Sequence, residues 1–260
     1  MNRITKLFLE KPNNVLNLYF TAGFPNLNDT TIVLEALQEA GADIAEIGMP
    51  YSDPVADGET IQQSNQTALE NGMSLKVLFQ QLEGIRAKVT MPIILMGYLN
   101  PVVQFGIENF CKKCQEVGVD GVILPDLPMD EYYEDYKAIF DKYGLLNIFL
   151  ITPQTSEVRI RRIDEISNGF IYMVSSASVT GGTSGITDTM ETYFNRVNAM
   201  NLKNPRLIGF GIKDNATFIK ASQYAAGAII GSQFIRVLQN TANKSSIYND
   251  IVSYVKSVKG

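Results

Sequence analysis

The sequence has no histidine and no tryptophan, and only two cysteines in 260 residues. Without imidazole there is no Ser-His-Asp or Cys-His triad, no histidine general base and no histidine-ligated metal. Acid–base chemistry must then fall to Asp, Glu, Tyr, Lys or Cys. The two cysteines, Cys111 and Cys114 in FCKKCQ, have the spacing of a redox pair or of half a zinc site. Zinc would need two more ligands and no other Cys or His exists, so the pair reads as reduced thiols on one helix face. Glycine (20) and proline (10) are too few for a collagen-like or low-complexity chain. No apolar run approaches the ~20 residues of a membrane span. The start, MNRITKLFLEKPNN, lacks the apolar core and small-residue cleavage site of a signal peptide, so the expectation is a cytoplasmic protein. Positive charge is also short. Lys+Arg number 22 against 27 Asp+Glu, a net charge of −5 that disfavours an electrostatic nucleic-acid binder.

What the chain does have is apolar residues, 45% of the total, grouped in a repeating pattern. Eight short runs stand out: VLNLYF (15–20), DIAEIG (43–48), PIILMGY (92–98), DGVILPD (120–126), LNIFLIT (146–152), GFIYMVS (169–175), RLIGFG (206–211) and GAIIGS (227–232). Each is bounded by turn formers and rich in β-branched or aromatic residues, the marks of strands buried on both faces of a parallel sheet. Between them lie amphipathic stretches at 29–41, 75–88, 107–118, 130–144, 156–167, 189–201 and 214–225, with a final one at 245–258. Asp29 is placed to cap the first of these, and Gly41 to end it. Eight strands alternating with helices over about 250 residues is the count of a (β/α)8 TIM barrel. The expectation is therefore a single α/β barrel domain over 1–260, with an extra helix at its N-terminus and a short extra helix after strand 8. Periodicity by itself leaves a doubly wound open sheet as the alternative.

In a barrel the active site forms at the carboxyl ends of the strands. Those positions carry Tyr19 and Thr21, Glu46, Tyr98 and Asn100, Asp126, then Tyr172. Glu46 is the most informative, because a lone carboxylate inside D-I-A-E-I-G is costly unless paired or used. Alternation puts Ile44, Glu46 and Gly48 on one face, and in apolar surroundings desolvation would raise the acid's pKa toward neutrality. The loop that follows adds Asp53, read as a turn former before Pro54, and Asp57, which is either a turn residue or a second working acid. Gly181 and Gly182, Gly209 to Gly211, and Gly231 with Ser232 open the loops after the last three runs. Backbone N–H groups there suit a phosphorylated small substrate. None of the eight runs contains Lys, so a Schiff-base aldolase is disfavoured and C–C cleavage would run on acids and bases.

The segments LYFTAGFP, AEIGMPYSDPVADG, MGYLNP, LPDLP, SSASVTGG, GFGI and IIGS occur in that order at the barrel-loop positions. Together they closely resemble the tryptophan synthase alpha-chain family, over essentially the whole chain. The resemblance implies a lyase that splits indole-3-glycerol phosphate into indole and glyceraldehyde 3-phosphate, in L-tryptophan biosynthesis. It assigns Glu46 as general acid/base and Asp57 as the carboxylate facing the indole N–H. Tyr19, Thr21, Tyr98, Tyr172 and Thr180 would contact the substrate, and Gly181, Gly211, Gly231 and Ser232 the phosphate. It implies no metal and no cofactor in this chain, with pyridoxal phosphate in a partner beta chain and an alpha2-beta2 heterotetramer. Two positions depart from the commoner family pattern: Phe24 stands where many members have Asp, and Ser176 where many have Arg. A barrel isomerase or epimerase acting on a sugar phosphate would explain the glycines but not the strand-2 loop. A catalytically silent activating subunit would not need both Glu46 and Asp57. Residues 175–188, small and glycine-rich, read as a lid over bound substrate. The apolar group Met49, Pro50, Tyr51, Pro54, Val55, Leu99 and Pro101 reads as a partner-facing surface or, equally, as a pocket rim or packed loop.

Overall fold

Each apolar run becomes a parallel strand in the computed structural model, which describes residues 1–54, 57–174, 187–209, 211–241 and 246–260. The strands are β1 (Val15–Thr21), β2 (Ile44–Gly48), β3 (Ile93–Met96), β4 (Gly121–Ile123), β5 (Leu146–Asn147), β6 (Leu150–Ile151), β7 (Ile171–Val174), β8 (Arg206–Gly209) and β9 (Gly227–Ile230). Their order is β5-β4-β3-β2-β1-β9-β8-β7-β6. The two ends of that order are halves of one expected strand. β5 pairs with β4 and β6 pairs with β7. Between them the Ile148 N–H donates to Val122 O at 2.9 Å, and Phe149 O accepts from the Tyr172 N–H at 2.9 Å. Strand tilt and stagger make the lower half meet one neighbour and the upper half the other. The sheet thereby closes into an eight-stranded barrel, and the open-sheet alternative falls away.

Strands buried on both faces divide their side chains between two cores. Leu16, Leu18 and Phe20 of β1 belong to the shell between strands and helices. Val15, Ile44, Ile94, Ile123, Ile148 and Ile229 fill the barrel itself. The N-terminal helix Arg3–Glu10 plugs the bottom of that interior with Ile4, backed by Leu7 and Phe8. Glycine makes room for it: a Cβ on Gly121 would stand 2.9 Å from Ile4 Cδ1. The plug is tied down by Asp120, 3% exposed as a side chain, whose oxygens accept from Arg3 Nη1 at 2.9 Å and Arg86 Nη2 at 2.6 Å. Asp120→Ala strands Arg86 among buried carbonyls, so it should cost about 3 kcal/mol or more of folding stability. A urea midpoint equal to that of the parent chain would contradict this.

The helices differ from expectation in three places. Glu59–Glu70 and Leu99–Phe105 are helices that the apolar pattern did not mark. In the first, ETIQQSNQTALE, the inward face carries Ser64 and Asn65 beside Ile61 and Ala68, so no apolar stripe forms. Asp29 precedes Thr30–Glu39 but makes no side-chain cap bond. Its carboxylate turns back to accept from the Asn26 side chain at 2.6 Å and the Asn26 N–H at 3.2 Å. Cys111 and Cys114 lie buried and free on Ile107–Val117. Burial pushes the Cys111 thiol up to about 12, which keeps it protonated and unreactive. The short helix after the last strand is Ser232–Gln239.

Candidate active site

Glu46 is the inward residue at the centre of β2, 1% exposed. β1 runs beside it with Tyr19 directly opposite and Asn17 opposite Ile44. The Asn17 amide donates to Glu46 Oε2 at 2.6 Å. Among the described residues the other oxygen, Oε1, is buried with no hydrogen-bond partner. Loss of water raises the carboxyl's pKa to about 7, and the Asn17 bond pulls the other way more weakly. A carboxylic acid buried in a strand thus titrates where a histidine ordinarily would.

Asp57 comes from the loop after β2, its own N–H held by Pro54 O at 3.0 Å. Burial raises its pKa to about 6, while side-chain hydrogen bonds from Tyr98 and Asn65 favour the charged form. The second acid therefore faces a cleft, where a purely turn-forming Asp would lie in solvent. Asp53, by contrast, accepts from the Ser52 hydroxyl at 2.6 Å, as a turn residue would. A narrow cleft brings Asp57 together with Tyr19, Asn65, Tyr98, Met49, Met96, Gly97 and Pro125.

Two tyrosines complete the interior. Tyr19 lies across Gly48 and Tyr172 across Gly209, where an added Cβ would stand 2.1 Å and 2.2 Å from the respective hydroxyls. Glycine is required at both positions because an aromatic ring occupies the space. Both phenols are pushed well above their ordinary pKa, by burial first and then by the negative charges of Glu46 and Asp57. They stay neutral, and each of the two acids is felt at both rings. Tyr98 also packs against Tyr51, ring centroids 5.3 Å apart.

Thr21 is fully buried and its hydroxyl bonds Ser64 Oγ at 2.7 Å, so it ties β1 to helix Glu59–Glu70. Gly231 caps helix Ser232–Gln239 and stands beside the Tyr19 ring, and Gly211 after β8 takes φ +75°, a conformation suited to glycine. The first N–H groups of a helix lack partners within it, the place where an anion can bind, and here the Ile235 N–H is the first to find one, on Gly231 O at 3.1 Å. Thr180 and Gly181, with Ser176 and the rest of 175–186, lie outside the described residues. Asp126 accepts from the Leu99 N–H at 2.9 Å and serves the start of helix Leu99–Phe105. Of the apolar group around strands 2 and 3, Met49 is buried, Pro50, Tyr51, Pro54, Leu99 and Pro101 are half-buried, and Val55 lies outside the described residues. Phe24 is packed in the core, 5% exposed. Three polar residues of the site were not expected, Asn17, Ser64 and Asn65. The signal for Asn17 was present, since it interrupts VLNLYF as Glu46 interrupts DIAEIG.

A closed parallel barrel with one carboxylate buried inside it and a second, half-buried, in the loop after the same strand is the frame of an acid–base enzyme. Among the described residues no cluster of three or more His, Cys, Asp or Glu is placed to hold a metal. The sequence profile of the tryptophan synthase alpha chain matches residues 6–259. The alpha chain of Flavobacterium johnsoniae is 58% identical over 243 residues, covering 94% of this chain and 96% of the relative. That of Flavobacterium psychrophilum is 57% identical, covering 98% of this chain and all of the relative. Among solved structures, the alpha subunit from Legionella pneumophila superposes with a TM-score of 0.89 at 31% identity, covering 100% of this chain and 97% of that one. The chain belongs to the tryptophan synthase alpha-chain family. It is a lyase that cleaves indole-3-glycerol phosphate to indole and glyceraldehyde 3-phosphate in tryptophan biosynthesis.

Proposed function

We propose that the cleavage runs on Glu46 and Asp57 in divided roles within one barrel domain. The bond to indole C3 is inert while the ring is aromatic. Protonation of C3 gives an indolenine cation with its charge on the ring nitrogen. Glu46, in its acid form, delivers that proton. Asp57, ionised, accepts the ring N–H hydrogen bond and stabilises the cation. Glu46, now a carboxylate, takes the proton from the adjacent glyceryl hydroxyl as the C–C bond breaks and the aldehyde forms. The observation that carries this reading is a strand acid raised to about 7 by burial, with a second acid in the following loop that accepts hydrogen bonds from Tyr98 and Asn65 and titrates lower, at about 6. Tyr19, Tyr98 and Tyr172 line the indole side, with Thr21 supporting the wall. Gly211, Gly231 and Ser232 take the phosphate on backbone N–H groups and the start of helix Ser232–Gln239.

The partner is a tryptophan synthase beta chain, which receives the indole. One similar structure, 30% identical with a TM-score of 0.85, is the tryptophan synthase complex of Pyrococcus furiosus, covering 95% of this chain and 98% of that one. Family alpha chains need no cofactor, and pyridoxal phosphate belongs to the beta chain. Two alpha and two beta chains would make a heterotetramer. Among the described residues no helix is long and apolar enough to cross a membrane, which fits work in the cytoplasm. The test is indole release from indole-3-glycerol phosphate, with and without the beta chain of the same organism, alongside sedimentation. A beta chain should co-sediment and raise the cleavage rate. Cleavage unaffected by a beta chain that does not co-sediment would point to a stand-alone lyase, and no cleavage in either arm would reject the catalytic reading.

A further inference from the structure

Asn17 stands in the barrel interior, two residues along β1 from Tyr19 and fully buried. Its neighbours there are the apolar side chains of Val15, Ile44 and Ile229. A buried amide among such groups is costly unless its polar atoms are bonded. Asn17 meets only part of that need: Nδ2 donates to Glu46 Oε2 at 2.6 Å, and Oδ1 is buried with no partner among the described residues. A leucine of nearly the same shape would pack this position without an orphaned acceptor. What the amide contributes is its bond to Glu46.

That bond divides the two carboxyl oxygens. A side-chain N–H can only donate, and the carbonyl oxygen of a carboxylic acid accepts better than its hydroxyl oxygen, so the bond favours the carboxyl proton on the other oxygen. The register sets the direction: Asn17 pairs with Ile44, on the amino-terminal side of the Tyr19–Glu46 pair. The amide therefore holds Oε2 toward the barrel floor and leaves Oε1 uncommitted. We propose that Asn17 is a positioning residue for Glu46, fixing Oε2 so that Oε1 is the oxygen that gives and takes the proton. The proposal rests on Glu46 being the proton carrier of the cleavage. The other groups facing Glu46 are Tyr19 from β1 and Tyr172 from β7, with Asp57 further out, and both phenols stay neutral across the working range. Asn17 is thus the only described side chain with a hydrogen bond to Glu46.

The experiment compares Asn17→Leu and Asn17→Asp with the parent chain, each first shown to be folded by its thermal melt. Leucine removes the donor, and aspartate sets a second carboxyl against the first. In both, kcat should fall about tenfold or more while KM stays within about twofold, since a small misplacement of a reacting group is costly and substrate contacts are untouched. In both, the high-pH fall of kcat/KM should move to higher pH, because the carboxylate has lost the bond that favours it. A merely structural amide would change the melt and leave that profile in place. Parent-like kcat and pH profile in either folded variant would overturn the proposal. Glu46→Gln serves as the separate control. If it too retains activity, the failure lies in the role of Glu46; if it is inactive while the Asn17 variants are normal, only the positioning role is lost.

Discussion

Glu46→Gln should lower indole release by about 10²–10⁴ with substrate binding largely kept, because glutamine preserves shape but cannot exchange a proton. The same change should make the protein more stable in alkali. The Glu46 carboxyl titrates near 4.5 when unperturbed and at about 7 when buried in the fold. Between those values the folded state holds a proton that the unfolded state has released, so this group's contribution to stability falls as pH rises through that window. Above pH 7 the cost is complete, on the order of 3 kcal/mol. Glutamine escapes it. The variant should therefore unfold at higher urea than the parent at pH 8 and at similar urea at pH 4. Near-normal turnover would remove Glu46 from the chemistry, and a stability difference independent of pH would show that its ionisation is not perturbed by folding.

Asp57→Asn should reduce cleavage by about 10²-fold or more, the scale of losing one group that stabilises charge in a transition state. The pH profile separates this role from that of Glu46. Asp57 works ionised, so kcat/KM in the parent chain should fall as pH drops through about 6. Glu46 must start protonated, so kcat/KM should fall again as pH rises through about 7. The result is a narrow bell. Asparagine cannot ionise, so the variant should lose the acid-side fall and keep the alkaline one. An unchanged rate in a folded Asp57→Asn would show that this carboxylate only shapes the loop after β2.

Much of this was written locally. The alternation in DIAEIG puts Ile44, Glu46 and Gly48 on one face whatever the strand's neighbours are, because the side-chain period of a strand is two, and only the barrel makes that face the inward one. The strand count, the helix after Gly231 and the loop motifs are also properties of short segments, which is why the barrel and its family could be read from the chain alone. The helix Glu59–Glu70 was illegible for a physical reason. It turns Ser64 and Asn65 toward the site, and a polar inward face carries no hydrophobic period. Local patterning likewise left the apolar group of Met49 and Tyr51 open between a partner surface and a pocket rim, and the fold puts Met49 in the cleft wall and Tyr51 against Tyr98.

By itself, then, the sequence determined the eight-run plan, the sharing of one strand face by Ile44, Glu46 and Gly48, and the absence of imidazole. Tertiary structure decided the rest. Closure depends on Leu146–Ile151 bonding two partners far apart in the chain, β4 below and β7 above. No local preference encodes such a choice, because stagger belongs to the whole barrel. Asn17 meets Glu46 only once β1 and β2 lie in register, 29 residues apart in sequence and 2.6 Å apart in space. The acidity of Glu46 and Asp57 is a tertiary property too. It arises from the water that packed strands exclude, and an isolated segment cannot exclude it.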